Sequence, residues 1–259
     1  MIVVHQAPVE DQPTPPTVHV TPALAPVAGP LIAEAIDRVI HRLGRCRLAL
    51  SGGSTPAETY QWLQRHLPHR IYPQLQVTLA DERVLPGAPQ KPGDWQAYHE
   101  DSNLRLIYQH WLSEVPLPPQ QVLPMTFGND ARTDLQRFGQ SFQRDWGAEV
   151  DVVVLGAGAD GHIASLFPDH PALDAQDIAL CVHDSPKAPA ERLSLALPVL
   201  QRARYVFVLG QGHGKSRVFK QVYQGDTQLP LGRLRGPGDV NWVLDPGAAS
   251  GLTAAWPKD

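Results

Sequence analysis

Three short segments of this 259-residue chain carry side chains suited to chemistry, and each follows an apolar run. The first is Ser51-Gly52-Gly53-Ser54-Thr55-Pro56, after Leu48-Ala-Leu50. Paired glycines let backbone N–H groups converge, and a helix starting at Pro56 adds partial positive charge, so phosphate is a natural guest. The same residues equally fit a tight strand-to-helix turn, with Thr55 as N-cap and Glu58 closing a capping box. The second is Gly156-Ala-Gly158-Ala-Asp160-Gly161-His162, after Val150 to Leu155. An imidazole near a carboxylate suits general acid–base work, with a structural histidine as the equal alternative. The third is Gly210-Gln-Gly-His-Gly-Lys215, after Arg204 to Leu209. A cation in the first turn of a helix opposes the helix dipole, which suggests an anion beside Lys215; a solvated lysine is the plain reading. Asp81-Glu82-Arg83 closes a further run, Leu75 to Ala80, and reads either as turn charges or as part of a site.

Two of these segments imitate nucleotide motifs. Gly156-x-Gly158-x-x-Gly161 has the dinucleotide spacing, but Pro168 stops the following helix almost at once, and only Asp174 and Asp177 are loosely placed as the ribose-binding acid. Gly214-Lys215-Ser216 resembles the end of a P-loop, yet Leu209 stands where the loop's first glycine belongs. Lys215 can still hold a phosphate as a point charge. No nucleotide cofactor is expected.

The elements that must position these segments alternate. Leu31, Ile32, Ala35, Ile36, Val39, Ile40 and Leu43 recur at helical spacing, followed by a strand from Arg47 to Leu50. A helix through Tyr60, Leu63 and Leu67, strands at Leu75 to Ala80, Val150 to Leu155, Ile178 to Val182, Arg204 to Leu209 and Val240 to Leu244, and a helix with Val218, Phe219 and Val222 continue the rhythm. Strands alternating with helices imply an α/β fold with a parallel sheet covered on both faces. The glycine-containing polar clusters then fall at the C-terminal strand ends, where such sheets bind ligands. Residues 7–30 contain seven prolines, so residues 1–30 read as an extended arm and 31–259 as a single α/β domain.

Composition narrows the function. The apolar fraction of 42% can build a core, and a net charge of −4 gives no nucleic-acid surface. No signal peptide or run of ~18 apolar residues is present, so no membrane partner is expected. Cys46 and Cys181 have no metal-ligand spacing and fit a reducing cytoplasm as buried thiols. No metal site is expected.

Together the segments resemble the 6-phosphogluconolactonase family, from about residue 31 to the C-terminus. The resemblance rests on Leu48-Ala-Leu-Ser-Gly-Gly-Ser-Thr-Pro56, Asp81-Glu-Arg83, Asp101-Ser-Asn103, Leu155 to Pro168, Arg192-Leu-Ser194, Gly210 to Lys215 and Asn241-Trp-Val-Leu-Asp245. It implies a Rossmann-like fold shared with the glucosamine-6-phosphate deaminases (the NagB/RpiA-type architecture). It also implies hydrolysis of a sugar-phosphate δ-lactone without metal or cofactor. On this resemblance His162 is the base that activates water, Asp160 orients it, and backbone N–H groups of Gly158 to Gly161 face the oxyanion. Ser51, Gly52, Gly53, Ser54, Thr55, Lys215, Arg192 and Arg83 would hold phosphate. Asp81 is the carboxylate that an alternative deaminase or isomerase would use over C2; a non-catalytic sugar-phosphate-binding protein is the other alternative. The chain is read as a monomer, with a homodimer as the variant. Where the family reaches Ser-Asn soon after Asp-Glu-Arg, Leu85 to Glu100 is inserted here. Its position beside the strand end suggests a lid, with Trp95 and Tyr98 closing over the sugar.

Overall fold

The computed structural model describes residues 1–4, 15–88, 93–236 and 238–252. The chain opens with β1 (Ile2–Val4) and β2 (Thr17–Val20), which pair antiparallel, and continues into helix α1 (Ala25–Leu43). Then come β3 (Cys46–Leu50), α2 (Ser54–His66), β4 (Leu75–Leu79) and β5 (Asp81–Arg83). Next are α3 (Asn103–His110), β6 (Val122–Leu123), α4 (Ala131–Trp146) and β7 (Val152–Gly156). The strands β8 (Ala179–Val182) and β9 (Arg192–Leu195) lead through α5 (Leu197–Gln201) to β10 (Tyr205–Gly210). The last elements are α6 (Ser216–Tyr223), α7 (Pro230–Arg233), β11 (Asp239–Leu244) and α8 (Pro246–Ala249).

Eight strands form one sheet in the order β1-β2-β11-β10-β7-β3-β4-β6, parallel throughout except at β1–β2. Every residue of β3 is buried, as are Val152 to Leu155 of β7. A strand buried on both faces needs cover on both, which explains unbroken apolar runs where a half-exposed strand would alternate. The α/β reading therefore holds, with two corrections to its bounds.

The first concerns residues 1–30. Thr17–Val20 is not part of a surface arm but pairs with β11 inside the sheet, and α1 starts at Ala25. Prolines misled here. Pro26 stands in the first turn, where its missing N–H is no loss, and Pro30 is carried by the packing of Ala28, Gly29, Ile32 and Ala35 against the core. The prolines among residues 5–14 lie outside the described residues.

The second concerns Ile178 to Val182, expected in the parallel sheet. These residues form β8 of a separate antiparallel sheet, β5-β9-β8. Ala80 is the junction between the sheets: its N–H donates to Leu50 and its carbonyl accepts from Leu195. A single residue thus carries the chain from β4 into β5, too short a break to show in the hydrophobic pattern.

Strand order reverses between β3 and β7. From β3 the chain steps outward to β4, whereas β7 leads to β10 on the other side. The loops leaving these two adjacent strands diverge and open a crevice at their C-terminal ends.

Candidate active site

One wall of the crevice is the loop from β3 to α2. The Ser51 N–H donates to Val154 at 2.9 Å, and the Ser51 carbonyl accepts from the Tyr60 hydroxyl at 2.6 Å. Gly52 lies so close to Asn103 that a Cβ would stand 2.0 Å from its Oδ1. Gly53 has φ +94°, a conformation open to glycine, and it caps α2. Thr55 is therefore not the N-cap expected from the capping box; the helix begins at Ser54 with no side-chain cap. The freed hydroxyl of Thr55 lies 3.5 Å from Lys215 Nζ, and the first-turn N–H groups are left to a ligand.

The opposite wall is the turn after β7. Asp160 Oδ1 and His162 Nδ1 are 2.5 Å apart, and the imidazole packs against Phe167 with ring centres 4.8 Å apart. Gly158 makes room for this pair, since a Cβ there would lie 2.0 Å from His162 Nδ1 and 2.3 Å from Asp160 Oδ1. Burial pushes the Asp160 carboxyl up, but the His162 hydrogen bond and charge, with Lys187, outweigh it and hold the group well below the usual carboxylate range. An ionised Asp160 at this distance places the proton on Nδ1, leaving Nε2 as the unprotonated nitrogen of the neutral ring. Lys187 Nζ lies 3.5 Å from Asp160 Oδ2 and 3.1 Å from His162 Nδ1. The oxyanion expectation for this turn changes: the N–H of Gly158 donates to His162 and that of Gly161 to Gly158, so both are spent within the turn.

The floor comes from β5. Glu82 is fully buried and accepts from Ser102 Oγ and from the N–H groups of Arg83, Asn103 and Leu104, all at 2.8–2.9 Å. It fastens the start of α3 to β5 and so delivers Asn103 to the crevice. Burial pushes the Glu82 carboxyl up against these four donors. Asp81 accepts from Ser165 Oγ at 2.7 Å and Asn103 Nδ2 at 3.3 Å, with Arg192 Nη1 at 3.8 Å. Arg192 is buried, and its Nε and Nη2 donate to the carbonyls of Lys187, Ala188 and Pro189. Arg83 donates through Nη1 to the Asp101 carbonyl.

These parts enclose a cleft of about 320 Å³ whose wall carries Arg83, Lys187, Arg192 and Lys215 against one carboxylate, Asp81. Ser51, Gly52, Gly53, Ser54, Thr55 and His162 also line it, so the expected residues converge, with Asp160 behind His162. Burial lowers the Lys215 pKa; Asp245 opposes this and the Lys187 charge adds to it. Ser51 Oγ, Asn103 Oδ1 and Arg83 Nε are buried without a partner among the described residues. Buried orphans of this kind call for a hydrogen-bonding guest. A crowd of cations above a helix N-terminus specifies an anionic one.

Three contributors escaped the sequence reading of roles. Lys187 carries no motif, while Ser165 and Asn103 sit within recognised segments but received no assignment. The lid expectation also fails: Trp95 and Tyr98 are buried, Tyr98 donates to the Thr126 carbonyl at 2.8 Å, and the Trp95–Ala97 turn packs on α3. Pro89 and Pro92 of that insertion lie outside the described residues. Cys181, which has no metal-ligand spacing to Cys46, lies near His183 and Glu191.

Asp160 gives a pH test. Its folded pKa is depressed, so its stabilising contribution is full above the ordinary carboxylate pKa of ~3.9 and fades as pH falls through the folded value. The stability difference between the parent chain and Asp160→Asn should shrink as pH falls below ~3.9. Urea unfolding at stepped acid pH measures it; a difference that stayed constant below ~3.9 would contradict an ionised Asp160.

Fold and cleft define a doubly wound α/β protein with a crevice lined by cationic side chains beside a histidine–aspartate pair. A family profile described as "Glucosamine-6-phosphate isomerases/6-phosphogluconolactonase" matches residues 20–242. The chain belongs to this family. It is 36% identical to the 6-phosphogluconolactonase of Homo sapiens over 229 residues, 83% of each chain. A 6-phosphogluconolactonase structure from Trypanosoma cruzi superimposes with a TM-score of 0.79 at 26% identity, covering 92% of this chain and 97% of that one. A monomeric glucosamine-6-phosphate deaminase shares the fold, with a TM-score of 0.72 at 19% identity and coverage of 90% and 99%.

Proposed function

We propose that this protein hydrolyses 6-phospho-D-glucono-1,5-lactone to 6-phosphogluconate, a step of the oxidative pentose phosphate pathway. The observation that carries the reading is a single cleft holding both the His162–Asp160 pair and four cationic side chains. The lactonase relatives support it across most of the chain.

In the proposed reaction phosphate sits on the Ser51–Thr55 loop and the first turn of α2, paired with Lys215 and reached by Arg83. Arg192 lines the cleft and holds the Lys187–Pro189 backbone in place, with Nη1 beside Asp81. His162 Nε2 takes a proton as water attacks the lactone carbonyl at C1. The tetrahedral intermediate then collapses, the C1–O5 bond breaks, and the imidazolium returns the proton to the leaving ring oxygen. A lactone carbonyl is already electrophilic, so a positioned water and one base suffice. Asp160 fixes the tautomer, and Asn103 Oδ1, which has no partner among the described residues, accepts from a sugar hydroxyl.

A deaminase needs a free carboxylate over C2 and further acid beyond the Asp-Gly-His turn. Here both Asp81 oxygens already accept hydrogen bonds. The stretch Ile163 to Phe167 is buried, and its one hydroxyl, Ser165, is spent on Asp81. No helix among the described residues is long and apolar enough to cross a membrane. We place the activity in the cytoplasm, carried out by a monomer.

The test is product formation from freshly made 6-phosphogluconolactone, followed above the substantial spontaneous rate. Enzyme-dependent hydrolysis is expected, with no ammonia from glucosamine 6-phosphate and no solvent deuterium at C2. Deuterium exchange at C2 would restore Asp81 as the principal base. Tight binding without turnover would instead indicate a sugar-phosphate sensor.

A further inference from the structure

A second group of reactive side chains lies on the small sheet, outside the cleft wall. Register fixes it. Cys181 and His183 are two residues apart and share one face at the end of β8. Val182 pairs with Arg192 in the antiparallel ladder, so continuing the register sets His183 opposite Glu191. The result is a side-by-side pair on one strand and a third side chain directly across, the arrangement that closes a triangle on a pleated surface.

The distances match a particular ion. Cys181 Sγ lies 3.7 Å from His183 Nδ1, and His183 Nδ1 lies 3.0 Å from Glu191 Oε1, with all three atoms within 4.8 Å of one another. Tetrahedral zinc, with bonds of ~2.3 Å to sulfur and ~2.0–2.1 Å to nitrogen and oxygen, requires donor separations of roughly 3.6 and 3.3 Å. Two of the three pairs stand near these separations, and the Cys181–Glu191 pair, within 4.8 Å, would close toward ~3.6 Å around an ion. Thiolate with imidazole selects zinc over magnesium or calcium, which prefer oxygen donors. The His183 and Glu191 side chains are 67% and 47% exposed, so a fourth position is open to water. Binding of the ion would displace the thiol proton of Cys181.

We propose that Cys181, His183 and Glu191 form a three-ligand Zn²⁺ site that clips the neck of the β8–β9 loop. That loop, closed by a hydrogen bond from Ser185 N to the Ala190 carbonyl, carries Lys187 to the His162–Asp160 pair. The ion joins the two strands from which the loop departs. Its position makes it a structural clip rather than a reactant, because no cleft-lining residue supplies a ligand.

The experiment uses the reduced, metal-free full chain titrated with Co²⁺ and then Zn²⁺. Expected is a thiolate-to-cobalt charge-transfer band that saturates at one equivalent and is abolished by one equivalent of zinc. C181S should remove the band, and C181S and H183A should each weaken zinc binding at least tenfold. H162A should retain the site. Zinc should raise the melting temperature of the parent chain and leave that of C181S unchanged. Circular dichroism establishes that each variant folds, and E191Q, which keeps the side-chain shape, should weaken zinc binding severalfold. Absence of the cobalt band overturns the proposal. So does zinc binding by folded C181S or E191Q as tight as that of the parent chain, which would place the ion elsewhere.

Discussion

His162→Ala is expected to lower kcat for 6-phosphogluconolactone by roughly 10²–10⁴ and to leave KM close to its parent value. The imidazole Nε2 is the nitrogen left to take the proton from water, because the ionised Asp160 carboxylate is paired with Nδ1. The phosphate contacts come from the opposite wall, at the Ser51–Thr55 loop and Lys215, so ground-state binding should survive the change. The loss should be strongly non-additive with Asp160. Once the ring is gone the carboxylate has nothing to orient, so His162→Ala/Asp160→Asn should be little slower than His162→Ala alone. The ring packs on Phe167, so a melting curve must accompany the kinetics. A folded variant with full activity would remove His162 from the reaction.

The parts of this site that were legible in the sequence are those whose signal is local. Strands β3, β7 and β10 are buried on both faces, so they stand out as apolar runs, and the loops that follow them announce themselves by glycine. The pair Asp160 and His162 lies within one turn. What stayed hidden depends on contacts distant in sequence. Lys187 reaches His162 across 25 positions through a hairpin loop, and Ser165 meets Asp81 across 84. Thr55 satisfied every local rule for an N-cap, yet the chain passes through Gly53 with positive φ and the helix starts two residues earlier, at Ser54. Trp95 looked like a lid residue because aromatic side chains in an insertion invite that reading. Its burial beside Tyr98 shows the insertion feeding the core instead. The cluster at Cys181 was invisible for the same reason as Lys187: the third ligand arrives from the neighbouring strand.

Lys215→Ala should weaken binding of 6-phosphogluconate by about 1.5–3 kcal/mol, the scale of a charge-assisted hydrogen bond, or roughly 10- to 150-fold. Burial and the nearby Lys187 make the ammonium costly to keep charged, and a phosphate dianion supplies the opposite charge that offsets both. Arg192 is a poorer probe than the sequence implied. Its guanidinium holds three backbone carbonyls and sits near Asp81, so Arg192→Ala would disturb the Lys187 loop as well as any phosphate contact. Lys215 has Thr55 Oγ1 as its hydrogen-bond partner, at the long distance of 3.5 Å, so its removal disturbs little else. The same reasoning fixes the substrate preference. Unphosphorylated gluconolactone gives up the contacts to the Ser51–Thr55 loop together with Lys215, and its kcat/KM should fall by roughly 10²–10⁴ relative to the phosphorylated lactone. Inorganic phosphate should compete with substrate in the parent chain and lose most of that effect in Lys215→Ala. Isothermal titration with 6-phosphogluconate and parallel kinetics on both lactones provide the comparison. Equal kcat/KM for the two lactones would show that the cationic cleft does not read phosphate, whatever its charge.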